Sequence, residues 1–383
     1  CAIFAFISMN FISHQDTKIT KILNPDFVFN FPSCPRLKIF SFFLNSYNAF
    51  LYFTSQFMKQ EILWLAKKLM SSCLSVLTVF LKDIKMVVQS QVYLKKAKAL
   101  ADWFVDNQVK SGHYADRGRF ANEVTVGKKP YKIVYPTNWT TGMTCISLVM
   151  AWQRTKDERY LTAAKLSGEY LKSLQVLDQR NLSAFGLFRE TSPQSKECHP
   201  RDALSAAWGL LYLYKVTKES DYLERVNIFA NWFSQYAMKN NYPAWTSYTE
   251  KKTPSYWQQG SFHGGSPLFF FDLYAVTKQK KWLTVGLKIC TKWKQLFLKE
   301  DGSIKIEIDP KTGKDMTGKG TDLNHIGWQD MHKVNDDFTA QAQMRAYKLT
   351  GDKKYLETAE RYLDWVLTIQ QPKGYFGKIP VNS

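Results

Sequence analysis

The chain has 383 residues and a net charge of +19, from 52 Lys and Arg against 33 Asp and Glu. That charge would draw polyanions. The basic residues are scattered, however, without a run of five or a nucleic-acid motif, so no nucleic-acid partner is expected. No unbroken stretch of about 18 apolar residues occurs, so no membrane span is expected. The six Cys, at 1, 34, 73, 145, 198 and 290, form no C-x-x-C, which argues against paired-cysteine zinc and thioredoxin-like sites.

Residues 1–57 are rich in Phe, Asn and Ser and show no sustained period, so they read as a poorly defined N-terminal segment. The first residue is Cys rather than Met, and a fragment or an ill-defined start accounts for this better than a lipid anchor. Met58–Val88 has a helical pattern and reads as the first helix of the main body rather than as a signal segment. Residues 58–383 are expected to form one catalytic body.

From Gln91 onward an internal repeat organises the chain. Trp152, Thr155 and Tyr160-Leu161 share a three-then-five spacing with Tyr214, Thr217 and Tyr222-Leu223. Two further copies keep it: Tyr274, Thr277 and Trp282-Leu283, then Tyr347, Thr350 and Tyr355-Leu356. A fifth copy, Tyr93-Leu94 with Ala97 and Trp103, keeps only the second helix. Segments such as LSAAWGLLYLY and SPLFFFDLYAV are apolar on every face and should lie inside. The amphipathic helices at Tyr93–Gln108, Tyr160–Gln175, Tyr222–Lys239, Trp282–Leu298 and Tyr355–Gln370 should form an outer layer. Short links such as Thr155-Lys156-Asp157 make antiparallel hairpins. The long links, running about Lys110–Asn138, Asp178–Pro200, Asn240–Gly265 and Lys299–Asn335, must then all emerge at one end of the stack. The expected fold class is all-α.

The Tyr/Trp-x-x-Thr-x4-Tyr/Trp-Leu repeat is joined by Gly-aromatic turns at Gly112-His113-Tyr114, Gly186-Leu187-Phe188 and Gly374-Tyr375-Phe376. Over residues 90–383 the chain thereby resembles the six-hairpin glycosidase superfamily, an (α/α) toroid of helical hairpins that includes the unsaturated glucuronyl hydrolases. With four full hairpins and one incomplete one, the chain departs from a closed set of six. The resemblance implies a glycoside hydrolase of oligosaccharides or polysaccharides, uronates among them, working by carboxylate acid–base chemistry without metal or other cofactor.

Five of six His lie in the long links (His113, His199, His263, His325, His332), as do Trp139, Trp245, Trp257 and Trp328. Polar and ring-bearing groups converging on one hollow mark a candidate ligand site. Glycosidic cleavage needs one carboxylic acid and one carboxylate. Asp202 and Asp337 stand at inner-helix starts and are the preferred pair, with Asp336 and Glu190 as further catalytic candidates. An N-capping role for the aspartates is the alternative. His199, His263 and His332 suit hydrogen bonds to sugar, and Trp139, Trp257 and Trp328 suit stacking on pyranose faces. Arg189 and Arg201, with Lys333, suit a uronate carboxylate. A lyase on the same scaffold would instead use Tyr256, His199 or His263 as base, and a non-catalytic sugar-binding scaffold is the third reading. Cys198-His199 resembles the zinc ligands of lanthionine-forming toroids but lacks a second matching Cys, so no metal is expected. The oligomeric state stays open. So does the compartment, with a lean to periplasm or secretion.

Overall fold

The computed structural model describes side chains in residues 91–112, 116–120, 138–244, 258–260, 263–316 and 338–372, and the backbone at 123–124, 133–134 and 247–248. The chain divides into two compact units, residues 1–99 and 100–383. Of the first only 91–99 are described, and the architecture below belongs to the second. The expected boundary near residue 57 and the helix at 58–88 lie outside the described residues.

After helix α1 (91–107), the described residues form four hairpins: α2 (Asn138–Thr155) with α3 (Glu158–Ser173), α4 (Pro200–Thr217) with α5 (Ser220–Trp232), α6 (Gly265–Thr277) with α7 (Lys280–Leu296), and α8 (Thr339–Thr350) with α9 (Lys353–Ile369). Helix α5 runs on through one wide π turn, Phe233–Ala237. The even-numbered helices pack on one another in chain order, α2 on α4, α4 on α6 and α6 on α8, and each odd-numbered partner backs its own hairpin. The layers match the expected inner and outer sets. Helix α4 is buried from Ala203 to Leu213, and α6 from Gly265 to Leu273, because neighbours surround them on every side. No Cβ fits at Gly142, which faces the Ser205 backbone, so α2 and α4 meet almost backbone to backbone.

The repeat spells out the turn chemistry. In each hairpin the Thr hydroxyl donates to the carbonyl four residues back and accepts the amide two residues on. Thr217 Oγ1 donates to Leu213 O at 2.9 Å and accepts from Glu219 N at 3.2 Å. Thr155, Thr277 and Thr350 do the same. The next residue is left-handed in all four copies: Lys156, Lys218, Lys278 and Gly351, with φ between +59° and +74°. Two of these lysines hold the ammonium over the repeat's own aromatic ring, Lys156 over Trp152 at 4.6 Å and Lys218 over Tyr214 at 5.4 Å. Tyr160, Tyr222, Trp282 and Tyr355 then bury their rings between layers. Asp157 and Asp352 cap their outer helices by accepting from Arg159 N and Lys354 N.

The long links are stitched to one another at the opposite end. Strand β1 (Glu123–Val124) pairs with β2 (Ile133–Val134) inside the first link. Asn138, closing that link, donates its backbone N–H to Glu190 O at 2.8 Å and its amide to Arg189 O at 2.9 Å in the second. Strand β3 (Glu197–Cys198) of the second link pairs antiparallel with β6 (Ser247–Tyr248) of the third. The third link also folds β4 (Met238–Lys239) against β5 (Tyr242–Pro243), and its β7 (Gln258–Gln259) pairs with β8 (Glu307–Ile308) of the fourth. Consecutive links thus share one end of the stack.

Candidate functional site

Helix α4 opens the site. His199 stands at its N-cap in extended conformation without a capping side chain, Pro200 fixes the first turn, and Arg201 and Asp202 follow. Asp202 therefore caps nothing, unlike Asp157 and Asp352. Its carboxyl meets that of Glu190, brought in by the second link. Glu190 is buried, its amide donates to Glu197 O at 2.9 Å, and its Oε2 accepts the His199 amide at 2.9 Å. Burial first, then the Asp202 charge and a hydrogen bond between the two carboxyls, hold the Glu190 carboxyl well above the usual carboxylate range. Asp202 is the more exposed member of the pair.

Arg201 is buried beside this pair. Its Nη1 lies 3.6 Å from Asp202 Oδ1, and its guanidinium lies 5.0 Å from the centre of the half-buried Trp139 ring. His263, from the third link, is buried near the same guanidinium. Burial, then the Arg201 charge, push its imidazole down to about 3, so it is neutral across the physiological range. Tyr242 packs edge-on against His263 with ring centres 5.7 Å apart, and its hydroxyl donates to Gln259 O at 3.1 Å. Both polar atoms of the buried Gln259 side chain lack a hydrogen-bond partner. Arg189 ties down the second link, its Nη1 donating to Ser195 O at 2.7 Å.

Five expected residues, Trp139 of α2, Arg201 and Asp202 of α4, and Glu190 and His263 of the links, therefore form one contiguous cluster, and His199 borders it through its backbone. Asp336, Asp337, His332, Trp257, Trp328 and Tyr256 lie outside the described residues, as do His113, His325, Trp245 and Lys333. The described residues contain no set of three or more His, Cys, Asp or Glu able to hold a metal, and no helix among them is long and apolar enough to cross a membrane.

Sequence reasoning missed a second polar group deeper between the inner helices. Asp272 on α6 accepts from Trp208 Nε1 of α4 at 3.0 Å. Tyr212 lies one turn below Trp208, with ring centres 6.5 Å apart. Its phenol is raised by burial and by the Asp272 charge, with Arg345 of α8 opposing. The available signal was one Asp within the otherwise apolar LFFFDLYAV, since a carboxylate in a fully buried helix needs a partner.

No protein-family model matches the sequence, and no curated protein matches it. Solved structures do. A family 76 glycoside hydrolase (mannosidase) from Bacteroides thetaiotaomicron is 14% identical with a TM-score of 0.53, over 71% of this chain and 70% of that one. An α-1,6-mannanase from Salegentibacter sp. is 18% identical with a TM-score of 0.50, over 73% and 72%. It was solved with α-1,6-mannotetrose as an inactive variant in which two consecutive aspartates are replaced by alanine. A D-mannose isomerase is 12% identical with a TM-score of 0.50, over 63% of each chain. The chain spans about three fifths of the length of several structures it matches, from 57% to 63%. At such identities the likeness is one of fold. The chain has an (α/α) toroid fold like that of these neighbours. None of them bears on the narrower likeness to unsaturated glucuronyl hydrolases.

Proposed function

We propose that this chain is a glycoside hydrolase acting on neutral oligosaccharides, α-linked mannosides foremost, with Asp202 as one of two catalytic carboxyl groups. The observation that carries the reading is the Glu190–Asp202 pair, where the second link meets the start of α4 beside Trp139 and Arg201. The pair is not itself the two-carboxylate machinery. Catalytic carboxyls flanking a glycosidic bond stand roughly 5 to 9.5 Å apart with substrate between them, whereas these two are immediate neighbours and the Asp202 charge raises the Glu190 carboxyl. Glu190 is instead the buried positioning residue beside Asp202. The second catalytic carboxyl comes from Asp336-Asp337, the chain's one Asp-Asp sequence. The inactivating substitution of consecutive aspartates in the mannanase above supports that choice.

The substrate is read as neutral because the arginines suited to a uronate are committed elsewhere. Arg189 holds Ser195 O, and Arg201 is buried against Trp139 and Asp202. Trp139 offers the ring on which a pyranose face stacks.

The test is release of reducing ends from linear α-1,6-mannooligosaccharides, set beside a panel of uronate-containing oligomers. Asp202→Asn should lower kcat by at least about 100-fold while the melting temperature stays close to wild type. Glu190→Gln keeps a donor toward Asp202, so it should retain activity and lose the fall in rate that Glu190 ionisation produces at high pH. Wild-type inactivity on mannosides, or cleavage confined to uronates, would overturn the reading.

A second reading, an aldose–ketose isomerase or epimerase, is favoured by the neutral His263 near Arg201 and by the isomerase neighbour, because such chemistry needs a base at the carbon next to the carbonyl. Ketose formation from free mannose without any release of reducing ends would select it.

A further inference from the structure

A neutral substrate makes no use of the net charge of +19, and part of that charge is gathered on one outer helix. Helix α7 carries five lysines, Lys280, Lys281, Lys288, Lys292 and Lys294, and no acid. The outer helices of the other hairpins mix signs. Helix α3 has three basic residues against two acidic, α5 one against two, and α9 three against three. Acids beside α7 are already paired, Asp221 with Lys172 and Arg225, and Asp352 with Lys354. Among the described residues no ion pair involves any α7 lysine. Lys294 reaches Asp352 only at longer range. Lys281 donates to the Asn231 side chain at 3.1 Å and holds its ammonium 4.2 Å from the centre of the Trp282 ring, both neutral partners.

Spacings of seven and then four residues set Lys281, Lys288 and Lys292 on one stripe of the helix, about 16 Å long at 1.5 Å per residue. Lys281 and Lys288 are exposed and Lys292 is half-buried. The same side of the helix exposes Thr284 and Gln295. The Thr284 hydroxyl donates to Lys280 O and is left able to accept, while the Gln295 amide can do both. These chemistries narrow the partner. A lipid surface would need the apolar face of α7 to be free, yet Trp282, Ile289 and Trp293 are buried against the body. Duplex nucleic acid presents one charge per about 1.7 Å, or roughly nine along this stripe, where the stripe offers three cations. The helix also lacks an Arg for bidentate phosphate contacts and an exposed aromatic ring for stacking on bases. Separate point charges interleaved with a hydroxyl and an amide suit a polymer whose anionic groups are single, spaced and surrounded by hydroxyls.

We infer that the outer face of α7 docks a carboxylate-bearing polysaccharide, a polymer of uronates, on the outer layer rather than in the carboxyl cluster. The surface does not depend on the hydrolase reading. Where both hold, it retains the protein on an acidic matrix and leaves the cluster to a neutral substrate.

The experiment measures binding of the full chain to polygalacturonate across a salt series, with melting temperature and activity on α-1,6-mannotetraose read alongside. Wild-type association should weaken about two- to fourfold for each doubling of salt, as expected when about three cations release counterions. Replacing Lys281, Lys288 and Lys292 together by Glu should weaken binding at least about 30-fold. The same net change placed at the exposed Lys110, Lys156 and Lys165 should weaken it by less than about threefold, because those sites lie beyond the reach of screened charge. Melting temperature and turnover should stay close to wild type in both triple variants. Equal losses in the two would mean that net charge alone attracts the polymer, and would overturn the inference. So would a wild-type protein that does not bind at low salt, or one that binds duplex DNA or anionic vesicles more tightly through the same three lysines. Inactivity on mannosides would overturn the hydrolase reading and leave this surface standing.

Discussion

The two ends of the helical stack are built by opposite rules. At the turn end one polar pattern is repeated four times. Each Thr hydroxyl both donates and accepts, each following residue is left-handed, and the caps and ion pairs, such as Arg159 with Asp157 and Lys354 with Asp352, are exposed. At the link end the described polar groups follow no such repeat. Burial and the Asp202 charge hold the Glu190 carboxyl well above its usual range, burial and a guanidinium push the His263 imidazole down, and the Gln259 side chain is buried without a partner. Polar groups at the turn end serve the helices on which they lie. Those at the link end are held at a cost to stability, the usual signature of a site kept for chemistry.

That contrast is open to measurement, and the largest effect should come from acid. His263 has a folded-state pKa of about 3, below its ordinary 6.5. Its contribution is present above 6.5 and is lost as pH falls toward 3, because only the unfolded chain takes up the proton there. The slope is at most about 1.4 kcal/mol per pH unit, or up to about 2 kcal/mol between pH 6.5 and 5. Glu190 has the opposite sign. Its raised pKa means stability is lost as pH rises above the ordinary carboxylate range, since the unfolded chain ionises first. Denaturant titrations across pH should find His263→Gln flattening the acid limb and Glu190→Gln flattening the limb above it. Thr and Lys changes at the turn end should leave both limbs unchanged.

A smaller effect is expected from Thr217→Val, which removes both hydroxyl bonds of one turn. It should cost about 1 to 2 kcal/mol at every pH, measured as a shift in denaturation midpoint, with catalysis unaffected. The smallest effect sharpens the comparison within the turn end. Lys278→Gly should stabilise by about 0.5 to 1 kcal/mol through relief of left-handed strain. Lys218→Gly should gain less, because it also forfeits the contact of its ammonium with Tyr214. Gly351 already occupies the equivalent place in the fourth hairpin. Equal gains at 218 and 278 would mean that the ring contact contributes nothing.

The turn end was legible in the sequence because its interactions are local. Thr, the residue after it and the aromatic three residues before it lie within one helical turn, so spacing alone encodes them. The inner helices were legible for a related reason: LSAAWGLLYLY and SPLFFFDLYAV admit no solvent-facing side. The link end was legible only as a set of candidates. Glu190 and Asp202 stand twelve residues apart in different elements, and no periodicity announces that their carboxyls meet. Nor does sequence show that Arg189 and Arg201 are occupied internally, since their partners, Ser195 O and the Trp139 ring, come from loop geometry. Phe338, before α8, is the extreme case, because a left-handed phenylalanine has no signature in sequence.

The stitching of each link to its neighbour bears on how specificity can be re-engineered. Grafting one loop from a related protein would strip a strand partner from the loops beside it, so single transplants should misfold the rim. Exchanging adjacent loops as matched pairs, for example those carrying Glu197–Cys198 and Ser247–Tyr248, preserves the seam. The link end of this architecture is thus modular in units of two connections rather than one.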